Sequence, residues 1–453
     1  MSERVHFIGV GGSGMSAVAR LMAATGAQVS GSDVRESAYF RALRDAGMDV
    51  HVGHDPQLVD GCDAVVVSTA VRDSNPELAH ARERGIPVWH RSEALVKALA
   101  GQRIVAIAGT HGKTTTSAMV AHVLHACGVD ASYAVGAKVL GIEGAVAGGY
   151  AGSAGIAVVE ADESDGSFLR YDVDIAVLTN VEADHLDHYG TEEALIAAFV
   201  EFACRARVLI VCADDAVAMR VAHEAKRAGV EVVTYGVGGG ADVAVTLEGI
   251  TAGGADYCVE LPMPGEHNRL NAAAAWLAAR ALDADPAAAA RALASFGGTG
   301  RRYQARGEAH GVRVIDDYAH HPTEVDAVLR AAREAGESHL VVLFQPMLFS
   351  RTQLHAQAFA DALSVEDADV VLAAVHGDRE DPIDGVNSEG LVRRMSVPTG
   401  STVRVVNDLR DAARACAALA VPGDVVLTLG SGTVTLAPDW ILEDINALNG
   451  DDD

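Results

Sequence analysis

The stretch Ile104-Val105-Ala106-Ile107-Ala108-Gly109-Thr110-His111-Gly112-Lys113-Thr114-Thr115-Thr116 decides the fold. Five apolar residues, a run of strand length, lead into a turn with two glycines, and the turn leads into a segment of helical pattern. A buried strand feeding a glycine turn and then a helix is the repeating unit of a parallel sheet covered by helices. The same turn points to a ligand class. Its glycines let backbone N–H groups and a helix N-terminus approach a phosphate, Lys113 supplies a fixed positive charge for β- and γ-phosphates, and Thr114 offers a hydroxyl to Mg2+. The expected ligand is ATP and not a redox dinucleotide. Ile107 stands where the longer P-loop pattern has glycine, so the match is to a shorter variant. A chance Gly-Lys-Thr in a loop would lack the strand before it and the helix after it.

Working outward, strand-length apolar runs alternate with Ala-rich helical stretches almost throughout, which makes the fold class α/β. A first unit holds strand patterns at 5–8, 28–30 and 64–67 and closes between about residues 91 and 101. The central unit continues from the deciding strand through patterns at 156–159, 175–178 and 208–211. Residues 230–264 read as short β-like stretches, including 243–247 and 257–261, and 268–294 return to an Ala-rich helical pattern. The glycines of 296–300 form a linker. Beyond it, strand patterns at 312–315, 340–344, 370–373 and 425–429 give a third α/β unit. The expected boundaries are 1–99, 100–298 and 299–453.

The chain of 453 residues is 49% hydrophobic and 21% charged, a composition able to bury several cores. Its 62 acidic against 35 basic residues give a net charge of −27, which excludes nucleic acid or an anionic membrane as the main partner while leaving room for a local phosphate pocket. The six cysteines are scattered without metal-finger spacing, so reduced, buried thiols are expected. With no signal-like apolar region and no bilayer-length apolar run, the expected location is cytoplasmic.

A second glycine turn, Gly9-Val10-Gly11-Gly12-Ser13-Gly14-Met15, also follows a strand and opens a helix, with Asp33 where a ribose-binding acid is expected. Alone it favours NAD or FAD, against the bland alternative of a tight turn with no ligand. Acidic runs at 160–165 and 179–185 each follow an apolar strand. Because parallel strands end on one edge of a sheet, these carboxylates and an imidazole can meet the lysine turn and hold Mg2+. Several of the acids must be ordinary loop surface, and composition does not choose among them.

The blocks GVGGSGMSAVA at 9–19, GTHGKTTT at 109–116, EADESDGSF at 160–168 and TNVEADHLDHY at 179–189 occur in the order in which the Mur ligase family carries them. So do PGEHNRLNAAAA at 264–275, FGGTGRRY at 296–303, DDYAHHPTE at 316–324 and FQPMLFSRT at 344–352. The chain resembles that family over almost its whole length. The resemblance implies a Rossmann-like N-terminal domain for a UDP sugar, a P-loop ATPase-like central domain and a Rossmann-like C-terminal domain for an amino acid. It implies ATP and Mg2+ as cofactors, with UDP-N-acetylmuramic acid and L-alanine joined through an acyl phosphate.

Carried over by motif, Gly11, Gly12, Ser13, Gly14, Met15 and Asp33 are implied to hold the UDP sugar, so no nicotinamide is needed. Gly109, Thr110, His111, Gly112, Lys113, Thr114 and Thr115, with His267, Asn268 and Asn271, are implied to hold ATP. Thr114 and Glu160 are the implied Mg2+ ligands, and His185 is the implied ligand to a second Mg2+. Lys113, Glu160, His185, Arg302 and Asp317 form the implied catalytic set, and Tyr318, His320 and Arg351 the amino-acid site. One departure stands out: the family block usually reads FQPHRYSRT, and here Met347 and Leu348 replace its histidine and first arginine while Arg351 remains. A cation is thereby lost. A peptide-recycling ligase of the same family is the nearest alternative, and a dinucleotide-dependent oxidoreductase would leave the lysine turn and the Glu160/His185 pair without a role.

Overall fold

A computed structural model describes residues 2–142, 145, 148–378 and 380–449. Three parallel-rich sheets follow one another along the chain, each covered by helices, so the α/β class expected from the strand and helix alternation is the one observed.

The first sheet has the order Asp49–Val52, Gln28–Asp33, Arg4–Ile8, Ala64–Val67, Val88–His90, with every pairing parallel. Strand order reverses at Arg4–Ile8, and an open α/β sheet binds ligands outside the carboxyl end of the strand where that happens. The second strand runs to Asp33, three residues beyond the apolar pattern. Its end is set by pairing with Asp49–Val52 and by Gly31, where a Cβ would meet the Val10 side chain at 2.7 Å.

The second sheet has ten strands. Its parallel centre runs Glu231–Gly236, Val208–Cys212, Val173–Leu178, Arg103–Ala108, Ile156–Glu160, Ser132–Ala134. Gly149–Tyr150 adds an antiparallel edge on one side, and on the other a meander of Val243–Val245, Gly249–Ala252 and Ala255–Cys258 continues the sheet. The strand expected at 257–261 therefore ends at Cys258. The helical pattern at 268–294 is two helices, Glu266–Arg280 and Pro286–Ala294. The break has a local cause: Asp285 caps the second helix by accepting from Ala288 N at 2.8 Å, and Pro286 occupies its first turn.

The third sheet has the order Gln304–Ala309, Val312–Asp317, Val425–Leu429, Leu340–Phe344, Ala368–Leu372, Thr402–Val405. Its first two strands form a hairpin through His310 and Gly311, both at positive φ as a tight hairpin turn needs, and the other pairings are parallel. Two compact units result: residues 1–262 with 269–299, carrying the first two sheets, and residues 263–268 with 300–453, carrying the third. Among the described residues no helix is long and apolar enough to cross a membrane.

Candidate active site

In the first unit the helix Lys113–Ala126 begins at Gly112, which sits at φ +82° and leaves the first N–H groups without a side-chain cap. That is the open donor set an anion requires. Two glycines are obligatory here. A Cβ at Gly109 would lie 2.2 Å from Thr179 Oγ1, and one at Gly112 would lie 2.7 Å from Asn271 Oδ1. The turn is bolted to the end of the neighbouring strand: Asn180 Oδ1 accepts from His111 N at 2.8 Å, while the Thr179 hydroxyl donates to the His111 carbonyl at 2.7 Å. Thr110 Oγ1 accepts from Glu182 N at 2.8 Å, and the Thr116 hydroxyl donates to Asn271 Oδ1 at 3.0 Å. Thr115 is buried in the first helical turn.

Lys113 curls back over this turn. Its ammonium donates to the carbonyls of Gly109 at 2.6 Å and Thr110 at 3.1 Å and meets Glu163 Oε1 at 2.9 Å. Burial works against the lysine's charge, but the carboxylates of Glu163, Asp162 and Glu160 outweigh it and hold its pKa above the ordinary value. Glu163 is the acid that yields: burial, with Asp162 adding to it, pushes its carboxyl up to about 7 against the pull of Lys113. Beside them the Thr114 hydroxyl donates to Glu160 Oε1 at 2.8 Å, and Glu160 Oε2 accepts from Gly136 N at 2.6 Å. His185, at φ +55°, places Nε2 3.9 Å from Glu163 Oε1 and 3.7 Å from Asp184 Oδ2. Lys113, Thr114, Glu160, Glu163 and His185 thus share one edge of the sheet.

The first glycine turn, in the same unit, is held by different means. Gly12 caps the helix Ser13–Ala24 with no side-chain acceptor, again leaving open donors. Asp33 Oδ2 accepts from Gly11 N at 2.9 Å, and the Ser37 hydroxyl donates to Gly11 O at 2.7 Å. Asp33 is therefore a brace of the turn as well as a candidate ribose contact. The Met15 side chain packs in the core, which leaves only its backbone to face a ligand.

Beneath the turn lies a polar cluster that sequence reading missed. Gly9 N and Val10 N donate to Ser32 O at 2.8 and 3.0 Å. The Ser32 hydroxyl donates to the fully buried Glu77, whose Oε1 also accepts from Asp55 N at 3.0 Å, with His6 and His54 3.4 and 3.3 Å away. Burial opposes the Glu77 charge, yet the His6 imidazole 3.4 Å away, the hydrogen bond from Ser32 and the His54 imidazole keep its pKa below the ordinary value. Nothing in the sequence marks Glu77. Glu163 was visible in the acidic run, but no feature of one sequence ranks it above Asp162 or Asp165.

The second unit gathers the remaining candidates. Asp317, at the end of its strand, accepts from Tyr303 N at 2.7 Å and Ala319 N at 2.8 Å. Burial pushes its carboxyl up to about 6 despite the Arg302 guanidinium. Arg302 lies 5.1 Å from the Tyr318 ring centroid and 4.0 Å from Glu324 Oε1, while Arg301 covers the same ring at 4.8 Å. His320 packs edge-on against Tyr318 and is tied to Tyr318 O through Nδ1 at 3.0 Å. Residues 263–268 belong to this unit. There burial, reinforced by Arg330 and Arg302, lowers the His267 pKa to about 4, and Asn268 Nδ2 donates to Pro264 O at 2.7 Å. Met347 accepts from the Ser431 hydroxyl, Leu348 adopts φ +66°, and Arg351 lies in the short helix Phe349–Leu354.

Comparison with known proteins bears on the whole chain. Models of the Mur ligase family catalytic domain, the Mur ligase middle domain and the Mur ligase glutamate ligase domain match residues 4–103, 107–279 and 301–432. The UDP-N-acetylmuramate--L-alanine ligase of Paenarthrobacter aurescens is 49% identical over 97% of this chain and 96% of its own length. The solved UDP-N-acetylmuramate-alanine ligase of Thermotoga maritima superposes with a TM-score of 0.82 at 28% identity, covering 98% of this chain and all of that one. A murein peptide ligase from Psychrobacter arcticus shares the fold with a TM-score of 0.69 at 23% identity, covering 98% and 99% of the two chains. With all three family segments matched in order, the chain belongs to the Mur ligase family.

Proposed function

We propose that this chain joins L-alanine to the lactyl carboxylate of UDP-N-acetylmuramic acid at the expense of ATP, in the cytoplasm, as a step of peptidoglycan precursor synthesis. The observation that carries the reading is the lysine turn: an ammonium held inside a glycine loop at an uncapped helix N-terminus, beside a hydroxyl and carboxylate pair. Full-length relatives at 49% identity bearing that activity in their names support the choice of substrates.

In the proposed reaction the lactyl carboxylate attacks the γ-phosphate, forming an acyl phosphate and ADP. The neutral α-amine of alanine then attacks the activated carbonyl, and the tetrahedral intermediate expels phosphate to leave the amide. Lys113 neutralises charge that builds on the transferring phosphoryl oxygens, a role that requires it to exchange Glu163 for the nucleotide. The Thr114 hydroxyl and Glu160 carboxylate, 2.8 Å apart and both oxygen ligands, suit a hard divalent cation, and His185 is assigned to a second one. Mg2+ bound there would supply Lewis-acid stabilisation of the phosphoryl group.

In the second unit Arg302 and Asp317 are assigned to the transferring phosphoryl group and the incoming amine, and Tyr318, His320 and Arg351 to alanine. His267, Asn268 and Asn271 are assigned to the nucleotide, and Gly11 to Met15 with Asp33 to the UDP sugar. The division into 1–99, 100–298 and 299–453 is part of the same proposal.

Phosphate release measured with UDP-N-acetylmuramic acid and a panel of amino acids tests the reading. Release should need both the sugar nucleotide and an amino acid, with L-alanine ahead of glycine and L-serine. Turnover with a peptide but not with alanine would move the chain to the peptide-recycling activity, and release without the sugar nucleotide would remove the ligase assignment.

A further inference from the structure

His90 and Arg91 stand where the first sheet ends and the helix Arg91–Ala98 begins, and their positions are fixed locally. Glu93 Oε2 accepts from His90 N at 2.8 Å, and His90 Nδ1 accepts from Ser92 N at 3.3 Å, which closes a capping box around the helix start. From this base both side chains reach the acidic loop that follows Glu160. His90 Nε2 lies 3.4 Å from Asp165 Oδ2, and Arg91 Nη2 lies 3.7 Å from Asp162 Oδ2. A third pair, Arg170 with Glu93 at 3.5 Å, flanks them.

The other end of the same guanidinium lies over the first glycine turn. A Cβ at Gly14 would come within 2.3 Å of Arg91 Nη1, which places the guanidinium end directly against Gly14. The turn itself, residues 9–15, contains no lysine or arginine, and Arg91 brings it a cation from another element. On the far side Asp162 lies in the loop between Glu160, which meets Thr114, and Glu163, which meets Lys113. One guanidinium therefore stands between the open helix end at Gly12–Gly14 and a carboxylate of the loop that meets the ATP-turn lysine.

At 3.7 Å the Arg91–Asp162 pair is an ion pair longer than a hydrogen bond, and with side chains 30% and 39% exposed it is a weak one. A diphosphate at the helix N-terminus offers the guanidinium shorter, charge-assisted hydrogen bonds. Once Arg91 turns to it, Asp162 is freed as an extra negative charge on the loop that carries Glu160 and Glu163. That charge favours arrival of a divalent cation with its nucleotide.

We propose that Arg91 is a residue shared by the two nucleotide sites: it grips the diphosphate of the sugar nucleotide above Gly14, and by leaving Asp162 it tightens binding of the metal–nucleotide complex at the Lys113 turn. This rests on the assignment of a UDP sugar to the first turn. By linkage the effect is reciprocal, so each ligand tightens the other by the same factor.

Calorimetric titrations of the full-length protein with UDP-N-acetylmuramic acid and with magnesium AMP-PNP, each alone and with the other present, test it. In the unmodified protein each ligand should tighten the other about fivefold or more. Arg91→Gln should weaken the sugar nucleotide about tenfold or more, remove the coupling, and tighten AMP-PNP alone toward the affinity it has in the unmodified protein with the sugar nucleotide present. Arg91→Lys should recover part of the sugar-nucleotide affinity without the full effect of a bidentate fork. Asp162→Asn should keep the sugar-nucleotide affinity and lose the coupling, an outcome that a purely structural role for Arg91 would not produce. Unchanged sugar-nucleotide affinity in Arg91→Gln, or coupling that survives both Arg91→Gln and Asp162→Asn, overturns the proposal while leaving the ligase reading in place. No binding of the sugar nucleotide to the unmodified protein overturns both, and the AMP-PNP arm then still reports on the lysine turn.

Discussion

At Gly12 and again at Gly112 a glycine starts a helix with no side chain accepting from its first N–H groups, so two open donor sets stand in one unit of the chain. They are built in opposite ways. The Gly112 turn carries its own cation, and its backbone is strained into a shape only glycine takes at Gly109 and Gly112. At the Gly12 turn Gly11 and Gly12 have ordinary φ values, the brace comes from Asp33 and Ser37, and the support comes from the Glu77 cluster below. A turn that must stabilise a transferring phosphoryl group keeps its charge in the loop, where it needs no reorganisation. A turn that only holds a diphosphate can draw its support from the surrounding elements.

The largest effect expected from this contrast is at Lys113. Lys113→Ala should lower ligation by about a thousandfold or more while the protein still unfolds cooperatively near the original temperature, as read by phosphate release and thermal melts. Near-normal turnover would put both turns in the same passive class. On the other side of the comparison, Glu77→Ala leaves the Ser32 hydroxyl without its acceptor and the buried His6 and partly buried His54 without the carboxylate beside them. It should cost about 3 kcal/mol in a denaturant titration and weaken the UDP sugar before it affects ATP.

Glu77 also predicts a pH dependence. Its folded pKa lies below the ordinary 4.5, so the stability it contributes is fully present above that value and is lost as pH falls through the folded pKa. Glu77→Gln should flatten that acid limb of the stability profile. An unchanged limb would show that the cluster carries no such linkage.

The glycines give a sharper, smaller test. Gly109→Ala, forced into φ +129° with a 2.2 Å approach to Thr179 Oγ1, should destabilise by about 1–3 kcal/mol and impair ATP binding. Gly12→Ala, at φ −74° with Gly9 O 3.5 Å from the added Cβ, should change stability by no more than about 0.5 kcal/mol. Equal costs at the two positions would break the distinction between a strained and an unstrained glycine.

The smallest effect is expected away from both turns, where Met347 and Leu348 replace the family's histidine and arginine. Met347→His with Leu348→Arg should lower the KM for alanine or the sugar nucleotide by a few-fold, since a lost cation is restored beside Arg351. The structure adds a competing term, because Met347 already accepts from Ser431 and Leu348 is held at φ +66°. Unchanged KM values in a folded double variant would retire the missing-cation idea.

The sequence by itself determined the α/β class, the positions of the central sheet-forming runs, the lysine turn and the family blocks, because each is written in neighbouring residues. Strand length, apolar period, and the spacing of Gly, Lys and Thr are local quantities, and Gly109 to Thr116 form in the structure the strand-to-helix turn their order prescribes. Local pattern was weaker where pairing decides the outcome. The strand through Ser32 and Asp33 and the edge strand Gly149–Tyr150 exist through their partners, and the break at Asp285 turned on a capping side chain. Only the tertiary structure chose among the acids. Glu160 meets Thr114, Glu163 takes Lys113, Asp162 faces Arg91 and Glu77 lies buried under the first turn, although all four are equally acidic in sequence. The reason is that a carboxylate's role is set by burial and by which cation or N–H lies within about 3 to 4 Å of it, and those neighbours come from distant parts of the chain.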